Sequence, residues 1–166
     1  MASKAVLQAI KPGAPIVRSE KFLKAYIQTL KDVTDGMKED YRKTTKTWKK
    51  KPRFTTQLPK TVGSNIEASA GTDNVIYGYV DEGTPAHVIR PKKGKFLVFR
   101  PNFYRKTIPG VLSSTKGGQF GRPVFAKKVN HPGTKPRKFT ITIQQKWQPE
   151  LEKRMEKATE KAAEYD

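Results

Sequence analysis

Cysteine is absent from all 166 residues, and that removes several classes of chemistry at once. There is no disulfide framework, no thiolate nucleophile and no cysteine-ligated zinc or iron–sulfur centre. Histidine is almost absent: His87 and His131 are the only two. Long apolar runs are missing as well. The opening MASKAVLQAIKPGAP holds one short run broken by Lys4, Lys11 and Pro12, unlike a signal peptide or a membrane span. The expectation is a protein made in the cytoplasm with no membrane partner. The scarcest feature is negative charge. Lys and Arg outnumber Asp and Glu by 34 to 15, for a net charge of +19, and from Gly83 through Pro149 no acidic residue occurs.

That acid-free segment holds Arg90, Lys92, Lys93, Lys95, Arg100, Arg105, Lys106, Lys116, Arg122, Lys127, Lys128, Lys135, Arg137, Lys138 and Lys146. It cannot neutralise itself, so the leading partner class is a polyanion or an acidic protein surface. The chain after it reverses the sign slightly, with Glu150, Glu152, Glu156, Glu160, Glu164 and Asp166 against Lys153, Arg154, Lys157 and Lys161. With 35% apolar residues, the length suits one domain with a modest core.

Residues 1–18 carry Pro12, Gly13 and Pro15 without a sustained period, and read as an N-terminal arm. Residues 19–166 then form a single domain. Ser19 is a suitable N-cap, and Leu23, Tyr26, Ile27, Leu30, Val33, Met37 and Tyr41 recur at three- and four-residue steps. This spacing predicts a helix from about 20 to 46. Gly36 lowers its propensity by about 1 kcal/mol relative to Ala and marks a bend or a close contact.

Short β-branched and aromatic runs follow at 53–58, 61–70, 75–80, 87–91, 95–100 and 123–129, separated by Pro, Gly, Asn or Asp. They predict antiparallel strands. Residues 101–122, rich in Gly, Ser and Lys, predict one long loop. From Phe139, the residues Ile143, Trp147, Leu151, Met155, Ala158 and Ala162 return to helical spacing, with Pro149 as a kink or a restart. FTITI at 139–143 also alternates like a strand; helix throughout is the expectation. The fold class is therefore α+β, an antiparallel sheet packed against a long N-terminal and a C-terminal helix.

Catalytic and ligand-binding signatures are sparse. A two-histidine metal site would need His87 and His131 to meet and to recruit a carboxylate such as Asp81 or Glu82. Polar histidines packed beside turns are the commoner arrangement. Asp81 and Glu82, as neighbours on a strand, would point to opposite faces and not form an acid–base pair. No phosphate-binding loop, GxSxG or HExxH is present. No catalytic residue, metal or cofactor is expected. KFLVFRPNFYRK, Lys95 to Lys106, interleaves aromatics with cations as single-stranded nucleic-acid binders do, although the unbroken Phe96–Leu97–Val98–Phe99 run reads as a buried strand.

The order of the corners carries more information. YGYVDEGTPAHVIRPKKGKFLVF, then PVFAKKVNHPGTKPRKF, then a C-terminal helix resembles the neck or tail-completion proteins of long-tailed bacteriophages, a family of head–tail joining proteins. The carrying positions are Glu82, Gly83 and Thr84, then His131, Pro132, Gly133, Thr134 and Phe139. Lys138 departs from the pattern, which often has proline there. The resemblance implies a non-enzymatic structural virion protein, made in the host cytoplasm and assembled as a homo-oligomeric ring at the head–tail junction. Its neighbours would be phage connector and tail proteins, with transient contact to phage DNA. Lys92, Lys93, Lys95, Arg105, Lys106, Lys116, Arg122, Lys135, Arg137 and Lys138 are then candidates for interface or polyanion contact. Gly83, Thr84, His131, Pro132, Gly133, Thr134 and Phe139 would be structural corners. A basic nucleic-acid-binding domain is the alternative reading.

Overall fold

Two 25-residue helices form the frame, and their apolar stripes explain why they meet. The computed structural model describes residues 3–10, 20–62, 65–114 and 116–163. Helix α1 (Glu20–Thr44) buries Tyr26, Leu30, Val33, Met37 and Tyr41, and helix α3 (Phe139–Ala163) buries Phe139, Ile143, Leu151 and Met155. The three-to-four residue spacing puts each set on one side of its helix. Pro149 lies inside α3, which runs on as one element. Gly36 marks a close contact: a Cβ there would overlap the Trp147 ring on α3.

The seam between the helices is also polar. The Asp40 carboxylate is buried and accepts hydrogen bonds from Lys146 Nζ at 2.6 Å, Trp147 Nε1 at 2.8 Å and Lys43 Nζ at 2.8 Å. Burial pushes its pKa up, but the bonds from Lys146, Lys43 and Trp147 prevail and hold it below the ordinary value.

Against the helices lies a three-stranded antiparallel sheet in the order β1–β3–β2: β1 (Ser3–Ile10), β2 (Thr55–Val62) and β3 (Asn65–Thr72). The arm expected over 1–18 is thus replaced, over its first part, by an edge strand. Alternation is the physical reason: Ala5 and Leu7 enter the core while Lys4 and Gln8 face outward. Pro12, Gly13, Pro15 and Ser19 lie outside the described residues. Strand β2 shifts register between Gln57 and Lys60, around Pro59, as suits a residue that cannot donate to a ladder and sits on an edge.

Residues 75–80, expected as a strand, are a helix, α2 (Val75–Glu82). Asn74 caps it by accepting a hydrogen bond from Tyr77 N at 3.0 Å. The helical turn places Tyr77 and Asp81 on one inward face. Tertiary packing therefore overrides the β propensity of VIYGYV. Tyr77 is fully buried among Tyr41, Phe54, Trp48 and Phe139, with ring centroids 5.2–6.1 Å away. Burial pushes the hydroxyls of Tyr41 and Tyr77 above the usual tyrosine range, and they bond neutral partners, Thr140 and Thr44, at 3.2 Å.

The remaining strands do not join this sheet. They form three two-stranded antiparallel ladders: β4 (His87–Ile89) with β9 (Val129–His131), β5 (Leu97–Phe99) with β8 (Val124–Ala126), and β6 (Asn102–Tyr104) with β7 (Gly118–Phe120). Nested in this order, they make one interrupted ribbon from Thr84 to Thr134. The single sheet expected from the spacing is thus a small sheet plus a ribbon, and the loop expected over 101–122 contains the innermost hairpin. The class remains α+β. None of the described helices is long and apolar enough to cross a membrane.

Candidate functional site

The ribbon is tied to the body at both ends. At its root, Thr84 N donates to Thr134 O at 2.9 Å and Thr134 N to Thr84 O at 3.0 Å. Gly83 and Gly133 hold φ of 80° and 90°, and a Cβ on Gly133 would overlap the Thr84 carbonyl. Only glycine combines that backbone angle with that closeness. The two corners singled out in the sequence, 82–84 and 131–139, are therefore one structural unit. The root continues directly into α3: Asp81, buried at the end of α2, accepts from Thr140 N at 3.2 Å and from the Thr140 hydroxyl. Its backbone carbonyl accepts from Arg137 N and Lys138 N, both at 3.0 Å. Phe139 then enters the core fully buried.

This corrects the strand reading of Asp81 and Glu82. They end a helix: Asp81 caps α3 and Glu82 is exposed. Lys138 holds a φ of 57°, an angle closed to proline, so its departure from the resembled pattern is conformational as well as chemical.

At the other end, the tip of the ribbon folds back. Thr107 and Ser114 form an isolated bridge. The Ser114 hydroxyl donates to Lys43 O at 3.1 Å and to Thr44 O. Gly110 N donates to Arg137 O at 3.0 Å, and Leu112 packs against the core. Residues 84–134 are thus a handle fixed at the root and at the tip.

Both histidines sit at the root. His87 and His131 are register partners across β4 and β9, with ring centroids 5.1 Å apart. They do meet, but no group of three or more metal-ligating side chains forms among the described residues. Each Nδ1 belongs to a turn. That of His87 lies 2.9 Å from Pro85 O, a pure acceptor, so it carries the proton; that of His131 accepts from Gly133 N at 3.1 Å.

Of the expected contact cations, Lys92, Lys93, Lys95, Arg105, Lys116, Arg122, Lys135 and Lys138 are exposed and Lys106 is half-buried. Arg137 is the exception. It is only 8% exposed, and its Nε has no hydrogen-bond partner among the described residues. Burial, and then the charge of Arg105, push its pKa down. Its backbone ties α2 to the ribbon tip, and its side chain is covered rather than on the surface.

The ribbon also carries apolar side chains that sequence reasoning placed in a core. Phe96 is exposed, Leu97 and Phe99 are half-buried, and Val98 is 60% exposed. The run expected as a buried strand is thus covered on one side at most. Phe103, Tyr104, Phe120 and Phe125 are exposed too. Tyr104 and Phe120 meet edge-to-face at 5.7 Å, beside a cleft of about 590 Å³ lined also by Arg105 and Lys116. Short β-branched and aromatic runs between turn residues signalled the strands; nothing local signalled that a covering layer would be missing. A second apolar set, Val75, Ile76 and Tyr79 on the outer face of α2, is also exposed, and the strand reading concealed it.

No protein-family model, curated protein or solved structure matches the chain.

Proposed function

We propose that this chain is a structural protein of the tailed-bacteriophage head–tail junction, a neck or tail-completion protein that acts as a homo-oligomeric ring. The observation that carries the reading is the joining of the two corners. Glu82–Gly83–Thr84 and His131–Phe139, the stretches that resemble that family, lock together through Thr84 and Thr134 and lead Phe139 into the core. The basic handle projecting from that unit suits contact with acidic neighbours in a connector or tail. On this reading the protein works through interfaces and needs no catalytic group. Its location is the mature virion, after synthesis in the host cytoplasm. Mass spectrometry of purified virions tests this: a stoichiometric complement of the protein in mature particles is expected, and its absence from them overturns the reading.

A second reading, a basic nucleic-acid-binding domain, is favoured by one feature, the cations interleaved with exposed Phe103, Tyr104 and Phe120 around the ribbon cleft. A DNA titration over a salt series separates the two. Dedicated binding by several phosphate contacts gives a steep loss of affinity, with a slope of about −0.9 per contact in log–log form. Weak, unsaturable binding is the outcome expected for a ring protein.

A further inference from the structure

We infer that the ribbon of one subunit packs on the outer face of α2 in a second copy, forming a head-to-tail interface. This rests on the ring reading and specifies its contact surfaces.

The ribbon needs a cover. In β5–β8, Leu97 pairs with Ala126 and Phe99 with Val124 on one face, while Val98 pairs with Phe125 on the other. Val98 and Phe125 are 60% and 67% exposed. Both faces of this ladder are thus apolar, and a two-stranded ribbon in water is marginally stable by itself. Paired apolar residues left open at the centre of a charged rim mark an interaction surface.

The same chain carries a surface of complementary character. Val75, Ile76 and Tyr79 are exposed together on α2, while Tyr77 and Asp81 occupy its inner face. This apolar patch is bracketed by Asp73 and Glu82, both exposed, and α2 contains no cation. The ribbon between Thr84 and Thr134 has cations and no acid. Apolar centres match and rim charges are opposite, which favours this pairing and disfavours ribbon against ribbon. A nucleic acid would satisfy the cations but would leave the α2 face uncovered. Because the two surfaces differ, the contact is heterologous, and repetition closes a ring when the rotation per subunit permits.

A complementation experiment tests this. Val98→Asp/Phe125→Asp damages only the ribbon side, and Ile76→Asp/Tyr79→Asp only the α2 side. Light scattering over a concentration series is expected to find oligomers for the wild-type chain. Each double variant should weaken association by roughly tenfold or more and keep its circular dichroism spectrum. An equimolar mixture of the two should form a one-to-one heterodimer, since each retains one intact half of the contact, and that heterodimer itself demonstrates that both variants fold. Disulfide trapping gives a second readout in a chain with no native cysteine: Phe125→Cys in one copy should cross-link to Ile76→Cys in another. A wild-type chain that is monomeric at every concentration overturns the ring reading itself. Wild-type oligomers that survive both double variants, or that yield no Phe125→Cys to Ile76→Cys cross-link, overturn this interface alone. Retained oligomers with lost DNA binding in the ribbon variant would reassign the ribbon to a polyanion.

Discussion

Along α1, Tyr26, Leu30, Val33, Met37 and Tyr41 are covered, whereas along the ribbon Val88, Val98, Phe103, Phe120 and Phe125 stand open to solvent. The residue types are alike; the surroundings are not. In the body, the inward stripes of α1 and α3 face each other and the small sheet, and the buried Asp40 carboxylate of the helix seam has three donors; the outer face of α2 leaves an apolar set open there. In the ribbon, three short ladders pair the backbone, but its apolar side chains lack a covering layer among the described residues. The two regions are therefore held differently: packing holds the body, while the handle is held by its two anchors and leaves its apolar surface open.

Tyr77→Ala should break the body side of this contrast most severely. It empties the centre of the aromatic cluster and should cost about 4 kcal/mol in urea unfolding. Gly133→Ala attacks the root instead. The left-handed backbone and the overlap with the Thr84 carbonyl together should cost about 3 kcal/mol, measurable as a lower denaturation midpoint.

Asp40→Asn removes the acceptor shared by Lys146, Trp147 and Lys43, and a loss of about 2 kcal/mol is expected. Its pH dependence has a definite sign. The folded-state pKa is lowered, so the carboxylate stabilises the fold fully above its unfolded value of about 3.9. That contribution disappears as pH falls through the lower folded value. Thermal unfolding of wild type and variant should thus differ by a constant amount near neutral pH and converge in acid below about pH 4.

Arg137→Met sharpens the comparison from the other side. It replaces a covered guanidinium, whose Nε is unpaired among the described residues, by an apolar chain of similar length. Stability should be unchanged or raised by up to about 1 kcal/mol, and a loss beyond about 1 kcal/mol would show that the guanidinium contributes more than its burial costs. Smallest of all, Phe125→Ser should alter the stability of the isolated subunit by less than about 0.5 kcal/mol. In the body, a comparable truncation is severe.

Legibility in the sequence follows the same division. Both long helices were readable because a stripe at helical spacing persists over about five to six turns, and Gly36 was readable as a bend or a close contact, of which the structure shows the contact. The corners at Gly83 and Gly133 were recognisable as turns from their composition. The helical state of α2 was concealed because 75–80 is short and β-rich, and its burial comes from Tyr41, Phe54 and Phe139, distant in the chain. Strand β1 was concealed by the prolines that follow it, although Ala5 and Leu7 alternate properly. Arg137 looked like its neighbours Lys135 and Lys138, since nothing local distinguishes a cation that tertiary packing will bury.

By itself, the sequence determined the class of the fold, the positions of the two framing helices, the lack of thiol chemistry and the acid-free stretch, because composition and period are properties of consecutive residues. Only the tertiary structure decided that the six outer strands form a tethered ribbon rather than part of one sheet, that Asp81 caps a helix far along the chain, and which apolar residues are left uncovered. Burial is a relation between segments, and here it depends on contacts such as Thr84 with Thr134 and Ser114 with Lys43, which no local pattern records.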